Sequence, residues 1–197
     1  MAKRLFQTGN SFKSGEAHMG ANGQAGITLL ELLSTVSIAA ILCALAVPTL
    51  GRALDRQRLQ GHGLLLLGSV QHARGEALRR NQPVYLCAAN LKKNLELQGC
   101  QASQPGASQR WGEGGLVYAD HGADNAAYDG GERLKLAIFD PRVQVWAPVA
   151  QLVWLPDGQL QPEAGVAFRL RAGDQCLLVS IAADGRASLG SVDDACA

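Results

Sequence analysis

Hydrophobic and polar positions alternate along this chain with three different periods, and each period predicts a different element. From Ile27 to Val47, twenty-one residues carry no charge other than that of Glu31, and Pro48 closes the run. As a helix rising ~1.5 Å per residue they would span roughly 31 Å, about the thickness of bilayer hydrocarbon. The pattern predicts a membrane span whose fifth residue is an acid. An isolated charge near the bilayer centre costs at least ~2.5–3.5 kcal/mol, so such residues usually have a partner and a task.

Beyond the span the period is helical. Leu54, Leu64, Leu67, Val70, Ala73, Ala77 and Leu78 recur at three-to-four spacing, with Arg52, Arg56, Arg74, Arg79 and Arg80 on other faces. Gly51, Gly61, Gly63, Gly68 and Gly75 weaken this helix by up to ~1 kcal/mol each relative to alanine, so a kink or local melting is expected at Gly61-His62-Gly63. Pro83 stops the helix, with Asn81 as its capping residue. From there the period becomes two. Val84 to Ala88, Gly115 to Ala119, Arg133 to Ile138, Val143 to Trp146, Leu152 to Leu155, Val166 to Leu170 and Cys176 to Ile181 read as strands. Pro156-Asp157-Gly158 and Asp184-Gly185 mark turns. The expected fold is α+β: one long N-terminal helix, its first half transmembrane, packed on a C-terminal antiparallel β domain. Its segments are a polar leader (1–26), the span (27–47), the exported half of the helix (48–82) and the β domain (83–197).

Composition sharpens this picture in two respects. The formal charge of +1 hides an asymmetry: residues 1–26 hold Lys3, Arg4 and Lys13 against Glu16, whereas residues 48–197 hold 15 Lys and Arg against 15 Asp and Glu. Basic residues ahead of the span favour a cytoplasmic N-terminus with the remainder outside. The neutral exported part argues against nucleic acid as a partner. Met19 is a second candidate start, which would leave a leader without Lys or Arg. Of five cysteines, Cys43 lies in the span and Cys87, Cys100, Cys176 and Cys196 follow it, an even number suited to two disulfides in an exported domain. Four cysteines allow three pairings, between which sequence alone does not choose. Cys87–Cys100 with Cys176–Cys196 closes two local loops and is the expectation carried forward.

Candidate chemistry is sparse. No nucleophile elbow, zinc-protease helix or phosphate-binding glycine loop is present, so no catalytic residue, cofactor or metal is expected. Without a Cys-x-x-Cys pair, the cysteines do not suggest zinc. His62 and His72 read as surface or kink residues. Asp120, Asp124, Asn125, Asp129 and Glu132 form an acidic stretch whose spacing does not fit an EF-hand loop, and it reads as a solvated hairpin tip.

Gly26, Ile27, Thr28, Leu29 and Glu31, together with Pro48, resemble the N-terminus of type IV pilins and type II secretion pseudopilins, with isoleucine where the family usually has phenylalanine. His72 to Cys87, Trp111 to Asp120 and Val179 to Gly190 resemble the helix end, the Trp…Gly strand and the terminal strand–Gly-Arg–strand hairpin of the GspH/FimT branch of minor pseudopilins and minor pilins. The resemblance implies a type IV pilin-like fold and a structural role. A prepilin peptidase/methyltransferase would cut after Gly26 and methylate the Ile27 amine. Glu31 would compensate a neighbouring subunit's N-terminal cation during assembly, and Pro48 would kink or loosen the helix leaving the membrane.

The partners so implied are other pilin or pseudopilin subunits and the inner-membrane assembly platform. The location is a single pass of the inner membrane, with the C-terminal domain in the periplasm and then in the pilus or pseudopilus. Two machines fit: a type II secretion pseudopilus and a type IV pilus, with a place at the tip or in initiation. Two alternatives differ in class. In a DNA-binding minor pilin of natural transformation, Arg186 would be the contact, although Ser188 stands where such pilins place a second arginine. A secreted soluble protein would be cleaved near Ala46, after Ala44-Leu45-Ala46.

Overall fold

The computed structural model describes residues 26–104, 106, 108–121, 125–161 and 164–193. The expected leader lies outside them except for Gly26, as does Cys196, one partner of the second expected disulfide. The chain divides into two units at Cys43/Ala44. Helix α1 (Leu29–Arg80) contributes to both.

In the first unit, every described residue is exposed, Leu30 to 80%. Such a surface is stable against lipid or other helices rather than water. Its hydroxyls are satisfied within the helix: Ser34 Oγ donates to the Glu31 carbonyl at 2.9 Å, Thr35 Oγ1 to Leu32 at 2.9 Å and Ser37 Oγ to Leu33 at 2.8 Å. These polar side chains therefore add no unpaired donor to an apolar surrounding.

In the second unit, α1 runs from Ala44 through Pro48 to Arg80 without interruption. The melting expected at Gly61-His62-Gly63 does not occur, because both flanks of this tripeptide are held. The His62 ring bridges the Arg58 carbonyl and the Asp140 amide, and Gly63 is buried beneath Leu177 and Leu189. The buried stripe is Leu59, Gly63, Leu66, Val70, Ala73 and Ala77, an alternation of four and three. Leu54, Leu64 and Leu78, expected on that stripe, are instead 42%, 57% and 50% exposed. They fall on the opposite side once Gly63 rather than Leu64 is placed inward. Asn81 adopts φ 53°, the left-handed cap conformation that closes the helix before Pro83.

Eleven strands follow among the described residues: β1 (Val84–Leu91), β2 (Leu97–Cys100), β3 (Gln109–Arg110), β4 (Gly114–Tyr118), β5 (Arg133–Ile138), β6 (Gln144–Ala147), β7 (Gln151–Trp154), β8 (Leu160–Gln161), β9 (Val166–Ala172), β10 (Gln175–Ile181) and β11 (Ala187–Asp193). They form two antiparallel sheets. The first has the order β5-β4-β1-β7-β8, with β2 added beyond β1, and the second the order β11-β10-β9-β6-β3. Their inner faces and the buried stripe of α1 share one core that includes Trp111, Trp154, Leu86, Phe168 and Leu177. Trp111 meets Phe168 edge-on at 4.9 Å.

Strand β1 is buried on both faces, which explains its unbroken apolar run rather than an alternation. Val84, Leu86 and Ala88 face the main core, while Tyr85, Cys87 and Ala89 face a second cluster with Leu116 and Tyr118. That outer cluster is roofed by the chain itself. Tyr85 stacks on Tyr118 at 5.0 Å, Tyr128 packs edge-on to Tyr118, and the Cys87–Cys100 disulfide joins β1 to β2.

Candidate assembly site

The amino-terminal end of α1 is built by Thr28. Its carbonyl accepts the first helical bond from Leu32 at 3.1 Å, and its Oγ1 accepts from the Glu31 amide at 3.2 Å. Thr28-Leu29-Leu30-Glu31 is thus the sequence of a capping box, read here in its first half: threonine satisfies the orphan amide of the acid three residues on. Cap satisfaction by the threonine hydroxyl leaves the Glu31 carboxylate available, and no ion pair involves it among the described residues. A carboxylate in the first turn is also favourably placed against the helix dipole. Gly26 and Ile27 precede this turn in exposed, non-helical conformation, Ile27 at 74% exposure. The best 18-residue window of α1 has mean hydropathy 2.2, long and apolar enough to cross a membrane. Sequence reasoning identified Glu31 but not the role of Thr28, although threonine three residues before an acid at the edge of an apolar run is the usual signal.

The second unit supplies a rigid seat for the part of α1 that follows Ala44. The Asp140 amide donates to His62 Nε2 at 2.8 Å, so the ring proton is on Nδ1, which donates to the Arg58 carbonyl at 2.8 Å. His62 is therefore a brace between helix and sheet. Arg142 chelates Asp140 and holds its carboxyl well below the usual carboxylate range. Near the helix end, Arg74 Nε donates to the Gly158 carbonyl at 3.0 Å. Glu76 receives both Arg79 and Arg80, whose hydrogen bonds lower its carboxyl to about 2.

The remaining sequence candidates are structural in this arrangement. The acidic stretch is an internally bonded loop: Glu132 accepts from the amides of His121 and Asp129, and Asp120 accepts from that of Ala126. Asp124 lies outside the described residues, and no metal-binding group of side chains is found among those described. The Tyr118 hydroxyl donates to the Ala126 carbonyl at 2.8 Å, and burial pushes its phenol up. Arg186 sits in the Asp184-Gly185 turn and pairs with Asp184 at 3.1 Å, without a second arginine beside it. Pro48 lacks an amide to donate to Ala44, yet α1 runs through it without a break. Cys176 is half of an expected pair whose other half, Cys196, lies outside the described residues.

A family model described as "Type II transport protein GspH" matches residues 65–185, more than half of the chain. No curated protein matches. Two crystal structures of the type IV minor pilin FimU of Pseudomonas aeruginosa are similar in fold. One has TM-score 0.53 at 20% identity, covering 73% of this chain and 98% of that one; the other has TM-score 0.50 at 19% identity, covering 71% and 100%. The structure of the minor pseudopilin EpsH from the type 2 secretion system of Vibrio cholerae is less similar, at TM-score 0.43 and 10% identity over 68% of this chain and 97% of that one.

Proposed function

Because the chain belongs to the GspH family of type II transport proteins, we propose that it is a membrane-anchored structural subunit of a pilus or pseudopilus, assembled through its N-terminal helix. Glu31 is the observation that carries the reading. It is the one charge in the exposed apolar stretch of residues 27–47, at the first turn of α1, with its amide already capped by Thr28. A prepilin peptidase cuts after Gly26 and methylates the Ile27 amine. The new amino terminus is a cation that must enter the same apolar surrounding, and the Glu31 carboxylate of a neighbouring subunit compensates it. The N-terminus faces the cytoplasm before processing, the β domain faces the periplasm, and the inner-membrane platform feeds the subunit into the filament. The family is a structural one, and the subunit is a substrate of the peptidase.

Either charge without the other is a buried, uncompensated ion, a loss of about 3–5 kcal/mol. Glu31→Gln should therefore reduce incorporation into the assembled fraction by at least a hundredfold while leaving the membrane pool intact. Intact mass and N-terminal sequencing from native membranes test the premise. A chain beginning at Ile27 with one extra methyl is expected, and one beginning at Val47 would sink the reading.

A further inference from the structure

The two sheets differ in what covers them. The outer face of the first is roofed by β2 and the β4–β5 loop. The outer face of the second carries an open groove of about 570 Å³ lined in part by Trp146, Arg169, Arg171, Leu178, Ala167 and Pro148. Strand register brings these side chains together. Trp146 of β6 stands opposite Arg169 of β9, which stands opposite Leu178 of β10. Along β9, Val166, Phe168, Leu170 and Ala172 are buried in the core, so Ala167, Arg169 and Arg171 form a row on the outside. Their spacing is about 6.6 Å, two strand residues. A second depression continues past Arg171 to Arg142, Gln144 and Gly173.

Both depressions are lined without a single acidic side chain among the described residues, in a domain whose charges otherwise balance. Arg142 is held by Asp140, Arg171 bonds the Gly173 carbonyl, and Arg169 has an intramolecular partner of its own. Arg142 is thus neutralised by Asp140, whereas Arg171, bonded to an uncharged carbonyl, brings a positive charge held in place before anything enters the groove. Leu178 remains 44% exposed beside Trp146, which the core does not need, since Trp111 and Phe168 fill the space on the inner side.

We propose that this groove receives an acidic segment, carrying at least one apolar side chain, of a neighbouring subunit in the assembly; this rests on the subunit role given above. Charge complementarity selects the acid, because guanidinium groups match carboxylates in a two-point geometry. Tryptophan and arginine are also the residues that most often dominate protein interfaces. One aromatic side chain makes a poor track for a nucleic acid, which is bound on successive stacking surfaces along a basic path.

The test places a photo-crosslinking residue at Ala167 of the full-length chain in its native membranes and scores the assembled fraction. The expected result is one adduct to a different processed pilin-like subunit, mapped to a segment bearing Asp or Glu. Trp146→Ala and, independently, Arg171→Glu should each reduce that adduct at least tenfold, with Arg171→Lys retaining most of it. Near-ultraviolet circular dichroism of the variants separates lost docking from lost folding, and Arg171→Glu alters only an exposed position. No adduct in chain that has entered the assembled fraction would overturn the inference. So would an adduct to a second copy, to lipid, to nuclease-sensitive material or to a segment without acids. Absence of the chain itself from that fraction would instead overturn the subunit role, and the docking with it.

Discussion

Gly61 and Gly63 are two residues apart on one helix, yet alanine should shift stability in opposite directions at the two positions. A Cβ at Gly61 meets nothing within 4 Å. Gly61→Ala removes the excess freedom of glycine from a helix interior without steric cost, a gain of about 1 kcal/mol. A Cβ at Gly63 would stand 2.6 Å from Leu177 Cδ2 and 2.7 Å from Leu189 Cδ1. Carbon atoms rest at about 3.5–4 Å, so both leucines would have to retreat by roughly 1 Å. Leu177 is only 1% exposed and has little room to do so. Overpacking of this kind costs about 1–3 kcal/mol, and subtracting the same helix gain leaves Gly63→Ala about 0–2 kcal/mol destabilised. The two variants should then differ by the overpacking cost alone, about 1–3 kcal/mol. Urea unfolding of the full chain in detergent, followed by the fluorescence of the fully buried Trp111 and Trp154, reads this difference. With a denaturant slope of about 2 kcal/mol/M, the midpoints should separate by roughly 0.5–1.5 M. A Gly63→Ala midpoint equal to or above that of Gly61→Ala would refute the seating of α1 on Leu177 and Leu189.

Gly185 has φ 77°, and a Cβ there would press on the Gly158 carbonyl oxygen and stand 3.0 Å from Trp154 Nε1. Gly185→Ala should lower stability by about 2–4 kcal/mol in the same urea assay, from backbone strain and overpacking together. Cys87 and Cys100 are separated by 13 residues, so replacing both with alanine should cost about 3 kcal/mol, with the loss absent in fully reduced wild type used as the reference. The Glu76 carboxyl is held at about 2 by Arg79 and Arg80, below its unfolded value. Its contribution is complete above about pH 4.5 and lost as pH falls towards 2. Glu76→Gln should accordingly flatten that part of the acid-unfolding curve, and an unchanged curve would remove Glu76 from the account.

The apolar run with one acid, the helix stop at Asn81 and the long strands up to β10 were legible, because each depends on local periodicity or on a single backbone preference. β11, with its irregular burial, entered only through the family resemblance of the terminal hairpin. β3 and β8 were not legible, since two residues carry no period; they exist only because β6 and β7 offer them an edge. β2 likewise depends on Cys100 being drawn to Cys87 across β1. The inward face of α1 was misread because leucine outranks glycine in any hydrophobic pattern, whereas the contact with Leu177 and Leu189 requires the smaller residue at position 63. His62 looked like a surface residue because its two partners, Arg58 and Asp140, are backbone groups, one of them 78 residues away. The groove around Trp146 was invisible for a similar reason: its arginines and tryptophan come from strands that meet only through register.

The pocket over Gly63 also sets the order in which the molecule can be finished. Leu177 and Leu189 follow Gly63 by more than a hundred residues and are made long after it. The helix therefore stays uncovered at Gly63 until β10 and β11 have been made. The Cys87–Cys100 clasp, whose halves emerge close together, does not have to wait. A product cut short before β11 would keep the membrane anchor and that disulfide yet lack half the lid over Gly63. Completion of the β10–β11 hairpin is thus read out at a helix position more than a hundred residues upstream.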